Sequence, residues 1–513
     1  MAFKKIKTGR LIHKNKIVEM LKKKFSKVVL SVLFILTMLN TLKVDGQVTV
    51  SPIFGNHMVL QQNANIKIWG KANPNEEIKI TGSFLKGNFK SISDKDGNWV
   101  IELKTPAFGG PFQLQVKGKQ GQIDLNDIYL GEVWLASGQS NMQFPLDSTS
   151  KGYNGPVNFK EEIKNANYPM IRQFLVRGVI GRIEKESIKG EWVLCESSNA
   201  KKYSALAYFF ARDLYKGLNV PIGIINSSWG GTSIGSWMGA KDLRTFDSDL
   251  IKLKKITFDT VKVNENYPSV LYNGMIAPIT NYKIKGVIWC QGENSINDPR
   301  DYADRMTHLI SGWRNDFKDE NLPFLYVQIA PFNYLGRPKQ WFSGTKNSLG
   351  YLVEQQTKTL STPHVDMART GDVGDIKYIH YRNKQDVGYR LSLLALKEVY
   401  KKKIDFVNGP DVDKISLEGN TATITYKNIG SGLVVKGESL NGFELSEDGV
   451  KFYPAMATVH QNKVIVNANQ VNQVKAIRYC FNNIDLVNLF NEAGFPALPF
   501  RTDHLPYERP NSK

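Results

Sequence analysis

The chain has 513 residues, of which 42% are hydrophobic and 22% are charged, and its mean hydropathy is −0.31. This length predicts two or three domains, and the composition is typical of a globular protein and excludes a polytopic membrane protein. The net charge of +19 is unevenly placed, because residues 1–46 alone carry a net +9. The remaining basic residues are scattered and form no basic stretch with interleaved aromatics, so we expect no nucleic-acid partner.

The N-terminal segment has the pattern of a secretory signal peptide, which we assign to residues 1–46. Several lysines precede the apolar run at residues 28–39, and the small residue Gly46 stands before Gln47. The run is shorter than the about 20 residues that a membrane span needs, although a retained N-terminal anchor is the alternative. We expect a secreted or periplasmic protein that has no membrane contact after cleavage, with translation starting at Met20.

Cysteines are few and scattered along the chain: Cys195, Cys290 and Cys480. An exported chain of this size with three cysteines is held together by its hydrophobic cores, with at most one disulfide. No CxxC motif or Cys/His cluster indicates zinc. We therefore expect neither a metal nor a cofactor.

Residues 47–127 alternate apolar and polar side chains in short segments that are separated by turn residues. This period of two predicts an antiparallel β-sandwich. A structural role is the simpler interpretation of this module, and carbohydrate binding is the functional alternative. The predicted strands are Ile66–Gly70, Glu77–Thr81, Asn98–Leu103 and Phe112–Val116.

Residues 128–403 change to alternating strands and helices, which predicts a parallel α/β sheet covered on both faces. Strands are expected at residues 133–136, 222–226, 284–290 and 324–329, and helices at 203–218, 301–317 and 383–401. Three strands end in polar, glycine-rich loops, at Ser140, Gly231 and Gln291. Ligands bind at the carboxyl ends of such strands, so these loops are the candidate site.

Residues 404–513 return to the alternating pattern and predict a C-terminal β module with an irregular tail. Its expected strands are Thr421–Tyr426, Leu433–Val435, Lys463–Asn467 and Ala476–Tyr479. The tail ends after a polar stretch that includes Asp503.

A serine exposed after a buried strand is a candidate nucleophile, and it needs a base and oxyanion donors. Among the seven histidines, His380 lies in a loop just before the last helix of the α/β region and is the better candidate for the base; His364 is the other loop histidine. A rival nucleophile is Ser233, which fits a G-x-S-x-G pattern. Four residues separate its strand from the pattern, so we interpret Ser233 as a loop hydroxyl.

Five motifs in this order resemble the sialate O-acetylesterases, a branch of the SGNH hydrolases. The resemblance extends from about residue 50 to residue 503, nearly all of the mature chain. The motifs are Gly138-Gln-Ser-Asn-Met142, Trp229-Gly-Gly-Thr-Ser-Ile234, Tyr272-Asn-Gly-Met-Ile-Ala-Pro278, Trp289-Cys-Gln-Gly-Glu293, and Ile379-His380 with Asn383-Lys-Gln385 and Gly388-Tyr-Arg-Leu391.

The resemblance implies a flavodoxin-like SGNH hydrolase domain in which Ser140 is the nucleophile and His380 its base. It further implies an oxyanion hole formed by the backbone N–H groups of Ser140 and Gly231 and by the side chain of Gln291. The remaining predicted site residues are Gln139 and Asn141, which we expect to hold the serine turn, together with Asn273 and Glu293. For Glu293 we favour a structural role.

One departure from the family pattern concerns the triad acid. SGNH hydrolases usually carry an acid two or three residues before the histidine, where this chain has Lys377 and Tyr378. Asp375 is the first candidate for the acid and Asp372 the second, and a dyad steadied by a backbone carbonyl is the third possibility.

The sequence thus predicts an exported serine esterase that removes O-acetyl groups from sialic acid or a related sugar. Two alternatives remain open at this point. One is an acetylxylan-type carbohydrate esterase, and the other is a catalytically inactive protein that binds carbohydrate.

Overall fold

The computed structural model describes Met20 and residues 47–149, 152–256 and 261–510. The predicted apolar signal segment and Gly46 lie outside the described residues. In the described part, no helix combines the length and the apolar character needed to cross a membrane. The cysteines are all buried free thiols, so hydrophobic cores rather than a disulfide hold the fold. The pKa of Cys195 and that of Cys290 are each raised to about 12 because burial disfavours the thiolate.

The N-terminal module is built from two antiparallel sheets. Strand β6 shows why its sequence alternates: Trp99, Ile101 and Leu103 are buried, while the residues between them face solvent. Strands β1, β3 and β6 form one sheet, and β5, β4 and β7 lead into β8 in the other. The strands are β1 (Thr49–Val50), β2 (Val59–Gln61), β3 (Asn65–Lys71), β4 (Glu77–Gly82), β5 (Phe89–Ile92), β6 (Asn98–Lys104), β7 (Gly109–Lys117) and β8 (Gln122–Gly138).

Strand β8 belongs to both the N-terminal module and the α/β region. Its first half pairs with β7, and its second half is the centre of the parallel sheet. The boundary that we predicted between residues 127 and 128 therefore falls inside one continuous strand. No linker separates the two regions, and the N-terminal module is continuous with the strand that ends beside Ser140.

The central sheet has the strand order β10-β9-β11-β8-β12-β13-β14, with β10 antiparallel and the others parallel. Strands β8, β11, β12, β13 and β14 are arranged as 2-1-3-4-5, the flavodoxin-like order that the resemblance implied. The antiparallel β9–β10 pair extends this sheet at one edge and was not predicted. The bounds are β9 (Asn167–Val176), β10 (Gly190–Glu196), β11 (Ile222–Ser228), β12 (Gly286–Cys290), β13 (Phe324–Val327) and β14 (Val365–Ala368).

Helices cover both faces of this sheet, and side chains of β8 enter two different cores. Val133 and Leu135 pack in one core, whereas Trp134 and Ala136 pack in the other. The described helices are α1 (Ser140–Gln143), α2 (Phe159–Asn165), α3 (Ser197–Ala200), α4 (Ala205–Leu218), α5 (Asp247–Lys255), α6 (Tyr302–Asp316), α7 (Ser348–Lys358) and α8 (Lys384–Leu394).

Helix α8 lies directly against α4. A side chain at Gly388 would place its Cβ 2.5 Å from the Cβ of Phe209, so only glycine permits this approach. The close packing fixes the first turn of α8, which follows the loop that carries His380.

The C-terminal module confirms the predicted alternation, since three strands have the expected bounds: Leu433–Val435 (β17), Lys463–Asn467 (β21) and Ala476–Tyr479 (β22). Its tail is irregular after β24, as predicted, and it is docked onto the module: Arg478 and Asp503 form a buried ion pair with an N–O distance of 2.7 Å. The strands are β15 (Asp411–Glu418), β16 (Thr421–Lys427), β17 (Leu433–Val435), β18 (Phe443–Ser446), β19 (Tyr453–Pro454), β20 (Met456–His460), β21 (Lys463–Asn467), β22 (Ala476–Tyr479), β23 (Leu489–Asn491) and β24 (Phe500–Arg501).

Candidate active site

The end of β8 turns sharply because Gly138 has a backbone conformation that other residues avoid. Its φ is +129°, and a Cβ at this position would lie 2.1 Å from the carbonyl oxygen of Cys290 on β12. The next residue, Gln139, donates its backbone N–H to the same carbonyl at 2.9 Å. The chain can therefore leave the sheet and begin α1 at Ser140, at the switch point between β8 and β12.

Ser140 lies in a nearly closed site, with 8% of its surface exposed. Its backbone N–H and its hydroxyl make no hydrogen bond with any described residue. Gly230 faces it: a Cβ there would lie 3.3 Å from the Cβ of Ser140 and 3.5 Å from the hydroxyl of Tyr153. The missing side chain at Gly230 thus leaves space beside the serine.

Gly231 offers a second free backbone donor beside the serine. Its φ is +75°, and its N–H makes no hydrogen bond with the described residues. Its carbonyl oxygen accepts from the amides of Asn266 at 3.1 Å and Asn294 at 2.9 Å. Two side chains thus fix the peptide that follows the free N–H, which gives the donor a defined direction.

Gln291 is placed beside the serine turn, but its amide hydrogens are already used. The Nε2 atom donates to Oε1 of Gln139 at 3.3 Å and to the carbonyl of Thr232 at 3.2 Å. Its own Oε1 is buried without a partner. Gln291 therefore ties the turn at Ser140 to the glycine loop, and donation to an oxyanion would require one of these two bonds to be released.

His380 is held among aromatic rings. Its ring centroid lies 4.9 Å from that of Tyr153, 5.5 Å from that of Tyr378 and 6.3 Å from that of Phe144. Burial among these rings, together with the nearby charge of Lys384, lowers the pKa of His380 to about 4. The imidazole is therefore neutral at physiological pH and able to accept a proton.

Neither predicted acid reaches this imidazole, which makes no hydrogen bond or ion pair with any described residue. The carboxylate of Asp375 accepts from the backbone N–H groups of Lys377 at 2.9 Å and Tyr378 at 3.2 Å. This turn satisfies the carboxylate locally, which is the commonest behaviour of a loop aspartate. Asp372 instead forms a buried, bidentate ion pair with Arg390, with both N–O distances at 2.7 Å.

A buried polar network links the serine turn to the histidine loop. The amide nitrogen of Asn141 donates to the Glu293 carboxylate and, at 3.3 Å, to the carbonyl of Ile379. Its amide oxygen accepts from the ammonium of Lys384 at 2.5 Å. Because Asn141 follows Ser140 and Ile379 precedes His380, these bonds hold the two predicted catalytic residues in neighbouring positions.

In this network Asn141 and Glu293 tie the serine turn to the neighbouring loops, and the Glu293 carboxylate is stabilised both by Asn141 and by its own backbone N–H. Burial raises the pKa of Glu293, although Asn141 and the charge of Lys384 oppose the shift. Lys384 was not predicted to have a role of its own. A signal was present, because a lysine in the first turn of a helix is placed against the helix dipole.

Two other candidates serve the scaffold. Asn273 lies in a short π-helix, Tyr272–Ile276, and donates to the carbonyl of Gly181 at 3.0 Å. The hydroxyl of Ser233 shares a hydrogen bond of 2.8 Å with that of Ser236. Neither side chain hydrogen-bonds to Ser140 or His380, so Ser233 is a loop hydroxyl and Asn273 supports a neighbouring loop.

The site combines a serine whose own backbone N–H is free, a second free N–H at Gly231 and a neutral histidine. This is the arrangement of a carboxylic ester hydrolase. Residues 130–392 match the model of the family described as "Carbohydrate esterase, sialic acid-specific acetylesterase". The chain belongs to this family, and it is a carboxylic ester hydrolase that acts on acetylated sugars.

Known proteins similar to the chain agree with this assignment. It is 31% identical over 397 residues to human sialate O-acetylesterase, covering 71% of this chain and 73% of the human one. It is 27% identical over 487 residues to the mouse sialate O-acetylesterase, covering 83% and 88%. The crystal structure of a carbohydrate acetylesterase from Xanthomonas citri superposes with a TM-score of 0.78 at 33% identity, covering 89% of this chain and 100% of that one.

Proposed function

We propose that this protein is an exported sialate O-acetylesterase that works through an acetyl-serine intermediate on Ser140. The observation that carries the proposal is the placement of Ser140, which begins a helix at the carboxyl end of β8 with its N–H free. The free N–H of Gly231 and the neutral His380 supply the donor and the base that a serine nucleophile requires.

In the first half of the proposed reaction, His380 accepts the hydroxyl proton of Ser140 as the oxygen attacks the acetyl carbonyl carbon. The carbonyl oxygen becomes negative and accepts from the N–H groups of Ser140 and Gly231. Each such donor lowers the barrier by about 3 kcal/mol. The tetrahedral intermediate then breaks its bond to the sugar oxygen, which leaves with the proton from His380.

In the second half, water loses a proton to His380 and attacks the acetyl carbon of the acyl-enzyme. The bond to the Ser140 oxygen breaks, that oxygen regains the proton, and acetate leaves. His380 must be neutral at the start of each half. Its low pKa provides this form over most of the physiological range.

The aromatic rings around His380 support a sugar as the group that carries the acetyl ester. Tyr153 and Tyr378 are partly exposed at the site, and aromatic faces pack against the C–H faces of sugar rings. Trp229 is also half-buried and precedes Gly230, which faces the serine.

The substrate is tested by comparing acetate release from 9-O-acetyl sialic acid and from acetylated xylan. We expect a higher kcat/KM on the sialic acid, and a preference for xylan would overturn the substrate assignment. Ser140→Ala should abolish release from both. Ser233→Ala is the matched control, since it removes a hydroxyl from the neighbouring loop and should leave turnover unchanged.

Export is tested separately from catalysis. When the full chain is expressed in a secreting host, the proposal expects a mature protein that begins near Gln47 in the medium or periplasm. If the chain is recovered in the membrane fraction and still contains residues 1–46, the result would support the retained anchor instead.

A further inference from the structure

Lys384 occupies a position that should be unfavourable for a cation. It is the first residue of α8, where the helix dipole opposes positive charge, and none of its surface is exposed. An ammonium group removed from water is costly unless its surroundings compensate. Lys384 receives partial compensation, because its Nζ lies 3.5 Å from the ring centre of Tyr381 and 4.9 Å from that of Phe144.

The hydrogen bond from Lys384 gives the Asn141 amide one orientation. A lysine ammonium can only donate, so the amide oxygen of Asn141 must face it. The amide nitrogen then points the other way, toward the Glu293 carboxylate and the carbonyl of Ile379. A reversed amide would place its nitrogen against the ammonium and its oxygen against two acceptors.

This fixed amide joins three separate loops. Asn141 follows the nucleophile, Ile379 precedes His380, and Glu293 follows the end of β12. The bond from Lys384 to Asn141 connects residues 243 positions apart in sequence. The distance between the two catalytic loops is thus set by the network and not by a carboxylate on the imidazole.

We propose that Lys384 is a positioning residue, which holds the His380 loop against Ser140 through the Asn141 amide and so supplies the orientation that an acid gives in a complete triad. The inference rests on the proposed function, in which Ser140 and His380 carry out the reaction. Lys384 itself touches neither substrate nor the reacting atoms.

The charges around Lys384 define how the network responds to pH. Glu293 and Cys290 face it from the end of β12, and Tyr381 and His380 face it from the loop before α8, while the serine turn contributes only uncharged groups. Burial lowers the pKa of Lys384 to about 7, although Cys290 and Glu293 oppose the shift. Lys384 therefore carries its charge below this pH and loses it above.

The test is the steady-state kinetics of Lys384→Met on 4-nitrophenyl acetate, with thermal unfolding measured in parallel. A displacement of the base by about 1 Å lowers turnover on the order of 100-fold, so we expect this loss in kcat with little change in KM. Lys216→Met is the matched control: it removes a lysine that is 59% exposed on α4, and it should behave as wild type.

Two further measurements separate positioning from a general loss of structure. The kcat of wild type should fall as pH rises through about 7, and this limb should vanish in Lys384→Met. The double variant with Asn141→Ala should lose no more kcat than the larger of the single losses, because both act through one amide. If Lys384→Met does not fold, Asn141→Asp keeps the lysine and should lower kcat similarly, since a carboxylate cannot donate to Ile379.

The outcomes distinguish the inference from the proposed function. Wild-type kcat in folded Lys384→Met, a basic limb that persists in this variant, or additive losses in the double variant would each overturn the positioning role. Full activity of Ser140→Ala would instead overturn the proposed function. If Ser140→Ala is inactive and Lys384→Met has the kcat of wild type, the inference is overturned and the proposed function is not.

Discussion

The pH dependence of hydrolysis provides a quantitative test of the histidine. An ordinary imidazole has a pKa of 6.5, whereas His380 has a pKa of about 4 because it is buried and lies near Lys384. At about pH 5.5, an imidazole with the ordinary pKa is about 10% neutral, and one with the lowered pKa is about 97% neutral. We express the rate at this pH as a fraction of the maximal rate. The structure predicts that this fraction is roughly ten times higher than an ordinary histidine would allow.

The assay is acetate release under kcat/KM conditions between about pH 3.5 and 7, because kcat/KM reports ionisations of the free enzyme. The fold must be monitored by circular dichroism across the same range. An unfolded imidazole binds its proton at higher pH than the folded one, so His380 makes folding less favourable as pH falls from about 6.5 to about 4. A half-maximal rate near pH 6.5 in folded protein would refute the proposed environment of His380.

Two further predictions follow from the geometry. Gly138→Ala should destabilise the protein by at least about 3 kcal/mol in denaturant unfolding, because its Cβ would overlap the Cys290 carbonyl at 2.1 Å. Gly419→Ala, at a φ of +54° with open space, should cost only about 1 kcal/mol, and equal losses would argue against the overlap. Asp375→Asn should change kcat less than about tenfold, since this carboxylate caps its own turn. A loss of several orders of magnitude would return the role of triad acid to Asp375.

Most of the fold could be predicted because its signals are local. Alternation with a period of two predicted the strand Ala476–Tyr479 with the bounds that it has, and helical spacing predicted α4 to within two residues at its start. The shared strand β8 was not predicted. The first half of β8 alternates exposed and buried residues, whereas its second half is buried throughout. This change in the sequence pattern suggests a domain boundary, although the backbone continues as one strand.

The candidate site was predictable where the residue type alone restricts its role. The residues placed around Ser140 include a glycine with positive φ, an amide and a histidine, and their motifs in order identified these positions. The acid could not be derived in this way. Whether Asp375 faces His380 or its own backbone depends on a few torsion angles, and the structure gives it two backbone donors at close range.

Lys384 was missed for a different reason. Its role depends on a contact with Asn141, which lies 243 positions earlier in the sequence. No spacing of residues in the sequence indicates such a contact. Its position at the start of a helix was the available sign, since a buried cation there is unfavourable without a partner.

The central claim is that Ser140 carries the acetyl group during turnover. The most direct measurement is mass spectrometry of the enzyme after acid quenching during hydrolysis of 4-nitrophenyl acetate, followed by peptide mapping. The His380→Ala variant is included because slower deacylation should accumulate the intermediate. We predict one acetyl group on the peptide that contains Ser140 and none in Ser140→Ala. Acetylation at Ser233 would contradict the account. Turnover with no acetylated serine in wild type or in His380→Ala would also contradict it.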